Sequence, residues 1–83
     1  MKELNLDAMC HTELIDFFWE VQHHPRLSAK KYGFTCKDIK ILSHYAVNKA
    51  VAMHLRKEGK IEGAMIYEKI CEDLYNRLSD EAK

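Results

Sequence analysis

Histidines and acids are the residues of this chain with the clearest capacity for chemistry. One of the five histidines follows a glutamate at Glu-x-x-His spacing, formed by Glu20 and His23. On a helix this spacing puts a carboxylate and an imidazole on one face, as in di-iron carboxylate bundles. Such a site needs two of these motifs and two further glutamates. A homodimer with Glu68 or Glu72 as the further ligand would be required, so Glu20 and His23 are only remote metal-ligand candidates.

The cysteines and glycines argue against a catalytic site. Cys10, Cys36 and Cys71 are odd in number and share no CxxC spacing, so we interpret them as reduced thiols of a cytoplasmic protein. Cys36 stands at a predicted helix start, a position that activates thiols in some enzymes, but no histidine is placed beside it as a base. The three glycines are not clustered, which excludes a phosphate-binding loop. We expect no enzyme, no catalytic residue and no cofactor.

The net charge is zero, but the charges are segregated along the chain. Residues 1–21 sum to −4, residues 22–60 to +7 and residues 61–83 to −3. We favour an interpretation in which antiparallel helices of opposite sign pair across their exposed sides. The alternative is that the basic middle block binds nucleic acid. Domains that bind phosphates usually have a clear basic excess, which this chain lacks.

The nucleic-acid alternative has its own candidate residues in the basic segment that spans positions 26–40. Tyr32 and Phe34 are interleaved with its cations, as in surfaces that combine phosphate contacts with base stacking. The candidate phosphate contacts are Arg26, Lys30, Lys31, Lys37 and Lys40. Binding through such contacts would weaken steeply with salt.

The elements that must position these residues are helices, and the clearest is a C-terminal hairpin. Apolar residues recur at helical spacing from Ile39 to Leu55 and from Ile61 to Leu78, on the two sides of Gly59. Glycine suits the left-handed residue that follows a helix C-terminus. Because the two arms are nearly equal in length, we expect them to pack antiparallel.

Start and stop signals outline the other helices. Cys10 heads a capping box for the first helix, and Asn5, a better capping residue, is the alternative start. Pro25 ends this helix and can open a short second helix that stops at Gly33. Thr35 is the predicted cap of the third helix.

These signals predict one all-α domain over residues 1–83. It is a small bundle of three long helices plus one short helix, with the antiparallel hairpin turning at Gly59. No strand pattern occurs, and no apolar run approaches membrane-spanning length, so we expect no membrane partner. Residues 79–83 are polar and are expected to fray.

The predicted core combines one apolar side of each long helix. Leu14, Phe17, Phe18 and Val21 follow the i, i+3, i+4, i+7 rule. On the third helix we expect the stripe of Leu42, Ala46, Ala50 and Met53 to face the fourth helix. A second stripe is expected to receive the first helix, and it comprises Ile41, Tyr45, Asn48, Ala52 and Leu55. The residues expected to be nearly inaccessible are Phe18, Leu42, Ala46 and Leu74.

Two apolar residues of the first helix are left over once its core side is assigned. Ile15 and Trp19 lie one turn apart and point about 100° away from the Phe17/Phe18 stripe. Tryptophan is enriched at the energetic centres of interfaces, so we interpret Ile15 and Trp19 as partner-binding residues of a homodimer. The alternative is that the short second helix folds back and covers Trp19.

The chain also resembles a group of small uncharacterised helical proteins encoded in phage, plasmid and environmental bacterial sequences. The residues that carry the resemblance are Ala46-Val47-Asn48-Lys49-Ala50, Ala52-Met53, Arg56, Gly59, Ile61, Ala64, Tyr67-Glu68, Ile70-Cys71 and Tyr75-Asn76-Arg77-Leu78. Ser79 stands where that group has proline. The resemblance implies a helical fold and suggests a mobile-element accessory protein, without naming a chemistry. We expect a non-enzymatic helical protein–protein interaction module that forms a homodimer.

Overall fold

The computed structural model describes residues 4–83 and is all-α over that range. Its four helices are α1 (His11–His23), α2 (Pro25–Tyr32), α3 (Cys36–Lys57) and α4 (Ile61–Asn76), with short 3-10 turns at Leu6–Ala8 and Asp80–Ala82. No strand occurs among these residues. The predicted small bundle of three long helices and one short helix is therefore confirmed. Within the same range, no helix combines the length and apolar character needed to cross a membrane.

Local capping chemistry explains where the first two helices begin. The Cys10 N–H donates to Glu13 Oε1 at 3.1 Å, which makes Cys10 the cap of α1 and lowers the pKa of the Glu13 carboxyl. Asn5 instead precedes the separate 3-10 turn. Pro25 occupies the first position of α2, where its missing N–H removes no helical hydrogen bond. Gly33 ends α2 with a φ of 78°.

The C-terminal hairpin forms as predicted. Thr35 caps α3, because its Oγ1 accepts a hydrogen bond from the Asp38 N–H at 3.1 Å. Gly59 has a φ of 80°, and the Lys60 N–H returns to the Leu55 carbonyl at 2.8 Å. Such a bond across a left-handed glycine satisfies carbonyls that the helix end would leave unpaired. The chain then reverses into α4.

α3 is the central helix, with α1 packed on one side of it and α4 on the other. The Gln22 side chain donates to Ser43 Oγ at 3.3 Å, and the His11 and His54 rings lie 6.1 Å apart, so α1 runs antiparallel to α3. The three long helices therefore form one layer. This places α3 in contact with both neighbours along most of its length.

The two α3 stripes contact different helices from those predicted: the stripe expected to face α4 faces the core on the α1 side, and the stripe expected to receive α1 receives α4. α4 packs against the second stripe, since the Cys71 Sγ lies 3.5 Å from the Tyr45 carbonyl and a Cβ on Gly63 would lie 3.3 Å from Leu55. Leu42, Ala46 and Ala50 of the first stripe instead belong to the core that α1 shares, whereas Met53 is exposed. Asn48, in the second stripe, donates to the His44 carbonyl of its own helix at 2.7 Å.

The main core lies on one face of the layer, which we call the covered face. There α2 packs across α1 and α3, with the Phe17 and Tyr32 rings 5.5 Å apart in edge contact. Both 3-10 turns add apolar side chains to the same cluster. The buried members are Leu6, Leu14, Phe17, Val21, Ala29, Tyr32, Ile39, Leu42, Ala46, Ala50 and Leu78.

The prediction of four nearly inaccessible residues was half wrong. Leu42 and Ala46 are buried as predicted, but Phe18 and Leu74 are only half-buried. Phe17 takes the buried aromatic position on α1, because it faces α2 while Phe18 points to the other side of the layer. Adjacent helical residues differ by about 100° in direction, so only one of the two can face α2.

The C-terminal segment, which was expected to fray, forms a 3-10 turn at Asp80–Ala82 and is bonded to α3 through Ser79. The Ser79 N–H and hydroxyl both donate to the Asp38 carboxylate, at 3.1 and 2.5 Å. Asp38 is buried, and these bonds, the hydroxyl bond above all, lower the pKa of its carboxyl. Capture of Ser79 accounts for the end of α4 at Asn76, two residues earlier than the apolar pattern predicted.

Candidate interaction face

Trp19 is an exposed aromatic residue on α1 and lies away from the covered face. Its side chain is 54% exposed, so α2 does not cover it. The indole makes edge contact with Phe18 at 5.5 Å and lies 5.9 Å from the His23 ring. Ile15, the other predicted partner-binding residue, is half-buried and packs against the core cluster. The geometry thus leaves Trp19, rather than Ile15, as the protruding group.

Within residues 4–83, no helix packs over the face of α3 next to Trp19, which carries a stripe of mostly apolar residues. Its members recur at i, i+3, i+7 and i+11: His44, Val47, Val51 and Leu55. The His44 ring lies 5.8 Å from the Phe18 ring, which ties this stripe to α1. Val47 and Val51 remain half-buried in the middle of the stripe. This stripe is roughly 140° around α3 from the core stripe of Ile39, Leu42, Ala46 and Ala50.

α4 contributes a matching stripe to the same side. The contact between Gly63 and Leu55 sets which side of α4 turns towards the exposed stripe of α3. Ile66, Ile70 and Leu74 follow Gly63 at i+3, i+7 and i+11, and therefore share its side of the helix. Ile66 is 63% exposed and Ile70 is 37% exposed. Apolar surface thus continues from α1 across α3 to α4.

We call this surface the open face. It consists of Ile15, Phe18 and Trp19 on α1, Val47, Val51 and Leu55 on α3, and Ile66, Ile70 and Leu74 on α4. Sequence reasoning placed Ile15 and Trp19 on this surface, assigned Phe18 to the core, and missed Val47, Val51 and the exposed isoleucines of α4. The missed signal was a second apolar stripe on α4, since Ile66 and Ile70 lie well outside the packing stripe that runs through Ala64 and Cys71.

Ion pairs join the charge blocks of the sequence. Three of them link the basic middle block to an acidic flanking block: Lys31 with Glu20, Lys49 with Asp7 and Arg56 with Glu68. The pairing of Arg56 and Glu68 is bidentate, and it raises the pKa of the arginine and lowers that of the glutamate. Three of the nine basic residues of the middle block are thus paired with an acid of a flanking block, and one of these pairs, Arg56 with Glu68, joins antiparallel helices as the favoured interpretation predicted.

The candidate nucleic-acid residues lie on α2 and on the first turns of α3. All five, Arg26, Lys30, Lys31, Lys37 and Lys40, are exposed. Lys31 is bonded to Glu20 Oε1 at 2.9 Å, and this hydrogen bond raises the pKa of its ammonium group. One of the five candidate cations is therefore engaged by a carboxylate within the chain.

Glu20 and His23, the remote metal-ligand candidates, interact with other side chains. Glu20 accepts hydrogen bonds from Lys31 and, at 3.4 Å, from the Tyr32 hydroxyl. The His23 ring lies beside Trp19 and 6.4 Å from His24. Among residues 4–83, no group of three or more His, Cys, Asp or Glu side chains is placed to hold a metal ion.

A shallow groove of about 350 Å³ lies on the other side of α4, between it and α3. Its lining includes Cys71, and burial raises the pKa of this thiol, which lowers the fraction present as nucleophilic thiolate. Arg56 and Glu68 at its rim are paired with each other. Cys10 and Cys36 are free, exposed thiols elsewhere. At this groove, burial thus disfavours the thiolate form of Cys71, and the charges of Arg56 and Glu68 are paired with each other.

No family model, curated protein or solved structure matches this chain. The resemblance noted from the sequence, and the mobile-element role that it suggests, stay predictions.

Proposed function

We propose that this chain is a non-enzymatic helical interaction module that forms a homodimer through the open face around Trp19. The observation that carries the proposal is the difference in coverage between the two faces of the helical layer. α2 and both 3-10 turns cover one face, while Trp19, Ile66 and Ile70 protrude from the other. A contiguous apolar surface built from three helices is typical of a protein interaction site.

The dimensions of the open face suit a stable dimer. α3 has 22 residues and is therefore about 33 Å long. With a neighbouring helix about 8–10 Å away on each side, the layer presents a strip roughly 20 Å wide. Because α1 and α4 have only 13 and 16 residues, they line about 20 and 24 Å of this strip, and its area is about 550 Å² before side-chain relief is counted. Two copies would thus bury about 1,100 Å² in total, which exceeds the roughly 1,000 Å² expected of a specific interface.

Trp19 supplies the anchor that such an interface needs. Its indole presents a large apolar surface with one polar N–H, and such side chains dominate the binding energy of many interfaces. Phe18 and His23 support the ring on two sides, so little side-chain freedom remains to be lost on association. The open face therefore combines a preorganised aromatic anchor with flanking aliphatic residues.

Sedimentation velocity at several protein concentrations tests this proposal. We expect the wild type to dimerise and Trp19→Ala to weaken dimerisation at least about tenfold, as loss of an interface anchor does. Circular dichroism of the variant should be unchanged. Leu27→Ala is the matched control, since Leu27 is 66% exposed on α2, on the covered side, and its removal should leave the dimer intact.

A wild type that sediments as a monomer at every concentration would refute the proposal. The same purified protein tests the alternative function, nucleic-acid binding. The residues proposed to contact phosphate in that case are Arg26, Lys30, Lys31, Lys37 and Lys40. Electrophoretic shift with generic DNA and RNA at two salt concentrations should show no salt-sensitive complex. A clear shift that salt abolishes would favour nucleic-acid binding instead.

A further inference from the structure

The exposed stripe of α3 has opposite charges at its two ends. In order along the helix, the residues on this side are Lys37, Lys40, His44, Val47, Val51, Leu55 and Glu58, spaced three or four apart throughout. The stripe is therefore basic at the start of α3, apolar in the middle and acidic at the end. Lys40 and Glu58 are both exposed.

This order is self-complementary when two copies of α3 run antiparallel. With the midpoint of the crossing at residue 49, Val47 lies opposite Val51 of the second copy. The same register brings Lys40 opposite Glu58 of the second copy, and Glu58 opposite its Lys40. A parallel arrangement would instead bring each charge against its own equivalent, and like charges across an interface are unfavourable.

The exposed apolar stripe of α4 is centred at the same level along the layer as residue 49 of α3. Leu55 contacts the position of Gly63, and Tyr45 contacts Cys71. Because α3 and α4 are antiparallel and rise equally per residue, residue 49 lies level with residues 67–69 of α4. Ile66 and Ile70 are two residues on either side of position 68. The axis that pairs Val47 with Val51 therefore also pairs Ile66 with Ile70 of the second copy.

We propose that two copies of this chain pack open face to open face about a two-fold axis that passes beside residue 49, with their α3 helices antiparallel. This inference rests on the proposed function and specifies its partner and geometry. The interface is isologous, so each contact occurs twice. α1 lies over α1 of the second copy, and Trp19, about one turn from the axis, packs on the N-terminal half of that helix.

Charge reversal tests this register directly. In Lys40→Glu each cross-subunit pair becomes two acids, and in Glu58→Lys each becomes two bases. We expect either variant alone to dimerise at least about tenfold more weakly than the wild type. An equimolar mixture of the two should form heterodimers, since both of its cross-subunit pairs then have opposite charges. The double variant K40E/E58K should dimerise within about threefold of the wild type.

Two controls separate this effect from net charge and from local changes. Lys30→Glu makes the same charge change as Lys40→Glu but lies on α2, on the covered side, and should dimerise normally. Glu58→Lys also removes an exposed pair with His54, whose Nε2 lies 3.3 Å from the Glu58 carboxylate. The His54 pair is lost both in Glu58→Lys alone and in the Glu58→Lys subunit of the mixture. Any recovery of dimerisation in the mixture therefore comes from the cross-subunit pairs.

The outcomes distinguish the register from the proposed function. A dimer that Trp19→Ala weakens, but in which the mixture shows no recovery over the single variants, would overturn the antiparallel register and leave the interaction module intact. A dimer insensitive to both single charge reversals would do the same. A monomeric wild type would overturn both proposals.

Discussion

The covered and open faces of the helical layer are made from the same kinds of residue but differ in what packs on them. Each face has an aromatic residue of α1, Phe17 on the covered face and Phe18 on the open one. Each also has a stripe of α3 residues at i, i+3, i+7 and i+11 spacing. Phe17 is buried beneath α2, whereas Phe18 is half-buried beside the exposed Trp19.

The difference shows that helical periodicity identifies apolar stripes without telling which of them the chain itself covers. A domain of this size has little chain outside its three long helices. Here α2, which has eight residues, and two 3-10 turns provide the covering layer, and all of them pack on one face. Nothing in the described part of the chain, residues 4–83, covers the apolar residues of the second face, which is the basis for the proposed dimer.

The largest predicted effect compares the two phenylalanines directly. We expect Phe17→Ala to lower the free energy of unfolding by about 3–5 kcal/mol, because it empties a buried site. Phe18→Ala should lower it by less than about 2 kcal/mol, since this side chain is already partly in water. Urea melts of both variants, made in a Trp19→Ala background to reduce association, measure the difference. Equal losses would mean that the two faces are equally covered.

The second prediction concerns the bond that holds the C-terminal turn on the covered face. Asp38→Asn removes a buried carboxylate that accepts two hydrogen bonds from Ser79. We expect a loss of about 1.5–3 kcal/mol, as for hydrogen bonds to charged groups. Asp80→Asn is the control, because Asp80 is an exposed acid of the same turn. A similar loss in both variants would show that charge, rather than the bond to Ser79, is responsible.

The same carboxylate makes stability depend on pH. Since the Ser79 hydroxyl lowers the folded pKa of Asp38, its contribution is fully present above the unfolded aspartate value of about 3.9. The contribution is lost as the pH falls from there through the lowered folded pKa. Urea melts between pH 6 and the acid range should show this loss for the wild type and a smaller one for Asp38→Asn. If the wild type and Asp38→Asn lose stability equally as the pH falls, the pH dependence does not come from Asp38.

The smallest predicted effect concerns the turn that sets which stripe of α4 lies on the open face. Gly59→Val should cost about 1–2 kcal/mol, because a β-branched residue resists a φ of 80°. A Cβ at this position would meet no atom within 4 Å, so the cost is conformational. Gly59→Asn should cost less, since asparagine tolerates the left-handed region. Equal thermal stability of the three proteins would show that the turn relaxes.

Helix boundaries could be predicted because the interactions that set them are local. Thr35 bonds to a backbone N–H three residues away, and Gly59 adopts the left-handed conformation that few other residues accept. Pro25 begins α2 by the geometry of its own ring. Each signal lies within one helical turn of the boundary that it determines, so it can be recognised from the amino-acid sequence alone.

The candidate site could be predicted only in part. Trp19 stood out because it remained once the core side of α1 was assigned, and it is exposed as predicted. Ile66 and Ile70 were missed because α4 is apolar on more than one side. Which side packs on α3 depends on the contacts of Gly63 with Leu55 and of Cys71 with Tyr45.

The amino-acid sequence by itself determined the helical class, the hairpin at Gly59 and the stripes on each helix. Hydrogen bonds and dihedral preferences that act within a few residues were sufficient for this. Only the tertiary structure decided that Ser79 meets Asp38, that α4 packs on the second stripe of α3, and that the open face stays uncovered. These outcomes depend on contacts between distant residues, where several apolar stripes compete for the same neighbours and packing of the whole chain selects among them.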